Sequence, residues 1–181
     1  MLVPMTAQSD SSPPPTASPF PFVVRLFETA VQPEWIDYNG HMNVACYLLA
    51  FDKATDALLD ELGLGRAYAE AEGSSIFVVE AHLTYAREVT EGDRLSFDSW
   101  LMGVDEKRIH LIHEMRHAED GFLAATAELM LIHVDLAQRR AVALPPDRKA
   151  AFSQLGQRAG AQKAGEATGH VPVAGRSIRQ L

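Results

Sequence analysis

The sequence predicts an α+β domain: one antiparallel sheet wrapped around a single long helix. Three observations lead there. Residues 44–62 carry a helical apolar period, several other segments are β-rich and alternating, and tight-turn signals separate the later strands. The chain has 181 residues, 47% hydrophobic and 22% charged, which suits one domain with tails. That composition excludes a mostly disordered chain, a collagen-like fibre and a membrane bundle.

The elements follow in order. Residues 1–21 hold six of the ten prolines among Ser, Thr and Ala, and read as a disordered lead. Phe22–Val31 is β-rich and leads to Pro33. From Val44, apolar residues recur at Tyr47, Leu48, Phe51, Leu58, Leu59 and Leu62. Asn43 serves as N-cap and Gly63 as C-cap of this helix. Ala45, Cys46, Leu49 and Ala50 make its first half apolar all round, which predicts a buried helix. Ser75–Arg87 alternates, with Phe77, Val79, Ala81, Leu83 and Tyr85 on one face. Gly92-Asp93 is a turn, and Leu95, Phe97 and Leu101 alternate after it. Ile109, Leu111, His113 and Met115 share the next face, before a turn at Asp120-Gly121. A long strand runs from Phe122 to Val134, and a short one reaches Leu144 before Pro145-Pro146. These strands read as consecutive hairpins. Residues 147–155 form a terminal helix, and 157–181 a flexible tail. The lead carries −1 and the tail +3 of the formal net charge of −8, so the domain at 22–156 carries −10.

That charge argues against a nucleic-acid partner. The single cysteine, Cys46, excludes an internal disulfide and a cysteine-only metal site. No run approaches the roughly 18 apolar residues of a membrane helix, and no secretory leader is visible. The expectation is a cytoplasmic protein with no membrane partner.

The chemistry concentrates in Trp35-Ile36-Asp37-Tyr38-Asn39-Gly40-His41-Met42-Asn43, at the mouth of the long helix. A carboxylate, an amide and an imidazole there face the unpaired N–H groups and positive dipole end of a helix. Such N–H groups can hold a carbonyl oxygen as charge develops on it. A carboxylate beside them can attack the carbonyl or deprotonate water. Gly40 allows close backbone approach or a positive φ. Asp and Asn before a helix are also common caps with no chemistry.

The string Asp37-Tyr38-Asn39-Gly40-His41-Met42-Asn43, with Tyr47-Leu48, resembles the signature of the hotdog-fold thioesterases of the 4-hydroxybenzoyl-CoA type. Its Asp-x-Asn-x-His spacing is similar to that of plant acyl-carrier-protein thioesterases. Tyr85, Glu91-Gly92-Asp93-Arg94-Leu95, His133-Val134-Asp135 and Arg139-Arg140 follow in the family's order. The resemblance covers about 22–150. It implies a hotdog fold, a homodimer or homotetramer with sites at the interface, and hydrolysis of an acyl-CoA thioester. It implies no metal and no cofactor, coenzyme A being part of the substrate. By the same resemblance Asp37, Asn39 and His41 are catalytic, and the Val44 N–H polarises the thioester carbonyl. Trp35, Tyr38, Gly40, Asn43 and Tyr47 are the candidate substrate-binding residues. Pro33 to Asn43, Lys107-Arg108-Ile109-His110 and Met130 to Asp135 are also similar to thioesterases associated with carnitine dehydrogenase. That similarity implies betainyl-CoA as substrate, whose trimethylammonium Trp35, Tyr38, Tyr47, Phe77 or Trp100 could face.

Two rivals stand beside this reading: a hydratase or dehydratase pairing His41 with Glu80 or Glu128, and a non-catalytic acyl-CoA-binding protein. Other titratable residues read as structural. Strand alternation turns His110 away from His113 and His117, which argues against a three-histidine metal site. His113 reads as an interior histidine. Cys46, on an apolar helix, lacks the setting of a nucleophile. Arg87, Lys107-Arg108 and Arg139-Arg140 could meet CoA phosphates.

Overall fold

The computed structural model describes residues 20–163 and Pro172. The proline-rich lead up to residue 19 and the tail beyond Lys163, Pro172 apart, lie outside the described residues. The element order is β1 (Phe22–Ala30), a 3-10 turn (Pro33–Trp35), α1 (Val44–Glu61), α2 (Arg66–Glu72), β2 (Ser74–Tyr85), β3 (Arg94–Val104), β4 (Arg108–His117), β5 (Leu123–Asp135), β6 (Arg140–Ala141) and α3 (Pro146–Lys163). The strands form one antiparallel sheet in the order β1-β3-β4-β5-β2, with β6 pairing β5. The expected α+β sheet-around-helix architecture is the one found.

The core lies between α1 and the sheet. Tyr47, Ala50, Phe51, Ala54, Leu58 and Leu59 of α1 pack against inward residues of three central strands. Those are Leu95, Phe97 and Leu101 of β3, Ile109, Leu111 and Met115 of β4, and Ala127, Leu129 and Leu131 of β5. Each large apolar side chain so buried stabilises the fold by roughly 1.5–3 kcal/mol. Asn43 caps the helix start, its side chain accepting from the Ala45 N–H at 2.9 Å; at the other end Leu62, not Gly63, is the C-cap, and Gly63, at φ +67°, follows it as the left-handed residue that turns the chain away.

Three expectations change. The first half of α1 is not enclosed all round: Leu48 and Leu49 are exposed, and so is Val44. One sheet covers only one side of a helix, so the opposite apolar side has no cover within the described residues. Second, β2 and β3 are not a hairpin. β2 lies at the sheet edge against β5, with β5 and β4 between it and β3. The chain from Ala86 to Asp93 therefore crosses the end of the sheet. It is pinned by Met42 N–H to Val89 O at 2.9 Å, Val31 N–H to Asp93 O at 2.9 Å and Ala86 N–H to Ala124 O at 2.8 Å. Third, a bulge between Val78 and Glu80 breaks the alternation of β2. Ile76, Val78, Ala81, Leu83 and Tyr85 meet α1 or its core. Phe77 instead meets Arg139, whose guanidinium is 5.6 Å from the ring centre.

α2, bracketed by Gly65 and the αL residue Gly73 at φ +62°, escapes the helical-period test because it is seven residues long and buries only Tyr68. The terminal helix extends to Lys163, past residue 155, because Phe152, Leu155 and Ala159 pack into the core.

Candidate functional site

Residues 36–43 form a tight loop with its own scaffold. Ile36 and Met42 make an isolated antiparallel bridge. The Asp37 N–H donates to His41 O at 3.0 Å, and the Gly40 N–H donates to Asp37 O at 3.0 Å. Gly40 has φ +84°, which an L side chain rarely adopts, so the turn depends on glycine. The Asn43 N–H donates to Trp35 O at 2.8 Å and closes the loop onto the start of α1.

This scaffold presents Asp37 beside the helix N-terminus. Asp37 Oδ1 accepts the Asn39 backbone N–H at 2.8 Å and lies 3.9 Å from His41 Nδ1. His41 Nδ1 is also 3.2 Å from Met42 O. Asn43 occupies the Ala45 N–H, and the Asn43 carbonyl accepts from Cys46. The Val44 N–H, the first of the helix, has no protein acceptor among the described residues. It lies at the positive end of the helix dipole.

Asp37, His41, Met42, Val44 and Tyr47 line one cavity of about 280 Å³, with Tyr85, Ala86, Arg87 and Glu88 completing its wall. The last four come from the end of β2 and the crossing segment. The Tyr47 hydroxyl is pushed above its ordinary value, first by burial, with Glu88 and Tyr85 adding to the effect and a Val89 backbone hydrogen bond opposing it.

The site residues expected from sequence divide into three groups. Asp37, His41, Val44 and Tyr47 meet in the cavity. Asn39 and Gly40 build the turn, and Asn43 caps the helix. Trp35 is 7% exposed in the core, away from the cavity, and Tyr38 is 97% exposed outside it. Phe77 does not reach it, and Trp100 sits on the outer face of the sheet with Val23 and Ile112. Glu88 carries no local signal in the sequence, because only the crossing segment after β2 brings it to the helix mouth, whereas Tyr85 stands among the family motifs.

The outer face also holds the histidine–carboxylate pair. His110 Nε2 lies 2.9 Å from Glu128 Oε1, both buried. Glu80 is in register with Met130, on the same face. Within this chain neither glutamate lines the cavity that holds His41. His113 is enclosed between α1 and the sheet. Among the described residues no group of three His, Cys, Asp or Glu is arranged to hold a metal. Cys46 is half-buried and packs against the core.

Sequence and fold comparisons agree with this geometry. A family model described as the thioesterase-like superfamily matches residues 31–152. A betainyl-CoA thioesterase of Pseudomonas aeruginosa is 45% identical over 114 residues, 63% of this chain and 72% of that protein. An L-carnitine dehydrogenase/betainyl-CoA thioesterase of Agrobacterium fabrum is 40% identical over 158 residues, 87% of this chain but 31% of that longer protein. Among solved structures, a thioesterase described as putative from Pseudomonas putida superimposes with a TM-score of 0.68 at 30% identity, covering 88% of this chain and 96% of that one. A hypothetical protein of Staphylococcus aureus in complex with CoA has a TM-score of 0.69 at 28% identity, covering 76% and 84%. With a curled sheet around α1, a carboxylate at its mouth and a family match across most of the domain, the chain belongs to the thioesterase-like superfamily and is a hotdog-fold thioesterase.

Proposed function

We propose that the chain hydrolyses betainyl-CoA to betaine and CoA, with Asp37 as the catalytic carboxylate and the Val44 N–H as carbonyl donor. The observation that carries this reading is their presence in one cavity at the helix mouth. The substrate is inferred from the relatives that bear that name. The acyl carbonyl accepts from the Val44 N–H, and the helix dipole strengthens that contact as the oxygen becomes negative. Asp37, or a water it deprotonates, adds to the carbonyl carbon. The C–S bond breaks as the tetrahedral intermediate collapses; where Asp37 itself has added, water then hydrolyses the mixed anhydride, freeing betaine and restoring the carboxylate. Thiolates leave readily, because a thiol pKa is about 8.5, so little general acid help is needed. The Asn39 N–H holds one carboxylate oxygen of Asp37, and His41 Nδ1 lies 3.9 Å from that oxygen.

The active form is a homodimer or a tetramer built from it, working in the cytoplasm on acyl-CoA. Support for association comes from the uncovered side of α1. Ala45, Leu48, Leu49, Val78, Ala81 and Leu129 line an apolar groove of about 430 Å³ beside β2, whose outer edge has no strand partner among the described residues. A long edge strand with apolar neighbours is a template for pairing with another chain. No helix of the described residues is long and apolar enough to cross a membrane.

The test is thiol release from a panel of acyl-CoAs of different size and charge. Betainyl-CoA is expected to have the highest kcat/KM. A chain that releases thiol from other acyl-CoAs and leaves betainyl-CoA untouched overturns the substrate assignment.

A further inference from the structure

Part of the Asp37 cavity wall comes from outside the helix mouth. It is built by Tyr85 and by Ala86, Arg87 and Glu88 of the crossing segment. Tyr85 is half-exposed, while Tyr47 behind it is buried. Their rings meet edge to face, with centroids 5.2 Å apart and planes at 82°. That contact fixes the orientation of Tyr85 and leaves half of its surface open. Glu88 is exposed and has no ion pair or hydrogen bond among the described residues. The segment's one cation, Arg87, lines the same cavity, and its guanidinium is held over Phe122, 4.0 Å from the ring centre. Beside the reacting carboxylate there is thus an aromatic surface and a second, uncommitted carboxylate.

The geometry points to Tyr85 and Glu88 as the residues that select a quaternary ammonium on the acyl group. This rests on the betainyl-CoA reading above and assigns its specificity to two residues. A trimethylammonium cannot donate a hydrogen bond, so a site must hold it by an aromatic face, a nearby negative charge and shape. Tyr85 supplies the first and Glu88 the second. In a betainyl group the nitrogen is one methylene from the carbonyl carbon. The cation must therefore sit close to the carbonyl site at Asp37 and Val44, and the cavity containing all four residues meets that requirement. A second carboxylate near Asp37 would repel a negatively charged acyl group and attract a positive one. Tyr47 acts through Tyr85, as its backing.

The experiment compares betainyl-CoA with 3,3-dimethylbutyryl-CoA, which has the same shape with carbon in place of nitrogen and no charge. Wild type is expected to favour betainyl-CoA in kcat/KM by about tenfold or more. Tyr85→Leu and Glu88→Gln should each reduce that ratio about three- to tenfold, mainly through KM for betainyl-CoA. Tyr85→Phe should keep most of it, since the aromatic face remains. The Glu88 effect should shrink at high salt, because an exposed charge is screened. A merely structural role would lower both substrates together and leave the ratio unchanged. If wild type prefers betainyl-CoA and the ratio survives Tyr85→Leu and Glu88→Gln, this assignment fails while the substrate reading stands. If wild type ignores betainyl-CoA, the substrate reading itself fails.

Discussion

Asp37 Oδ1 accepts the backbone N–H of Asn39 at 2.8 Å, so one oxygen of a carboxylate that lines the cavity is engaged by the loop's own turn. The contact uses the Asn39 backbone, which any non-proline residue supplies. Asp37→Asn is expected to reduce kcat/KM at least about a hundredfold, a few kcal/mol of barrier. Asn39→Ala is expected to stay within about tenfold of wild type. Steady-state thiol release, with circular dichroism to verify folding, checks both. A folded Asp37→Asn enzyme at wild-type rate removes that carboxylate from the reaction. A collapse in Asn39→Ala would show that the amide does more than the present geometry displays.

Leu49, 43% exposed on α1, faces the groove shared with Val78, Ala81 and Leu129. A charge there costs a monomer little, because the position is open to water, and it should oppose burial against a second copy. Leu49→Glu is expected to retain wild-type far-ultraviolet circular dichroism, sediment as a monomer and lose most turnover. A dimeric, fully active variant would show that the groove is not the contact between copies.

His113 ties α1 to β3 across the core. The Thr55 hydroxyl donates to Phe51 O at 3.0 Å, so its oxygen accepts from His113 Nε2 at 3.0 Å; Nδ1 then accepts from the Ser99 hydroxyl at 2.9 Å. Both nitrogens are satisfied in the neutral ring. Complete burial lowers the pKa from 6.5 to about 3. Between those values the unfolded chain takes up a proton that the folded chain refuses. The stability due to neutral His113 is present above pH 6.5 and is lost as pH falls toward 3. The slope from this group approaches about 1.4 kcal/mol per pH unit. His113→Gln should be less stable than wild type at pH 7.5, and the difference should narrow by pH 5. Urea unfolding at both values measures it; a constant difference would show that the ring does not titrate on unfolding.

Local patterns made much of this molecule readable. The spacing of Tyr47, Phe51, Leu58 and Leu59 set α1, and Asn43 and Gly63 marked its ends. Alternation placed Ile109, Leu111, His113 and Met115 on one face, and that face is the core side of β4. The bulge at Val78–Glu80 was not readable, since an inserted residue changes the face of Phe77 and Val79 without a signal in residue type. Trp35 and Tyr38 show the same limit at the site. Both are aromatic neighbours of Asp37 in the chain, yet one is core and the other is solvent.

By itself the sequence determined the helix, most of the strands, and the carboxylate and cap at the helix mouth, because these depend on residues near one another in the chain. Tertiary structure alone decided strand order, and with it the cavity wall. β2 pairs with β5 rather than β3, so the chain must cross the end of the sheet after Tyr85. That crossing carries Glu88 to a carboxylate 51 positions earlier, at Asp37. Backbone hydrogen bonding between strands is indifferent to side-chain identity, so nothing in the residues of the crossing segment announces where it will lie.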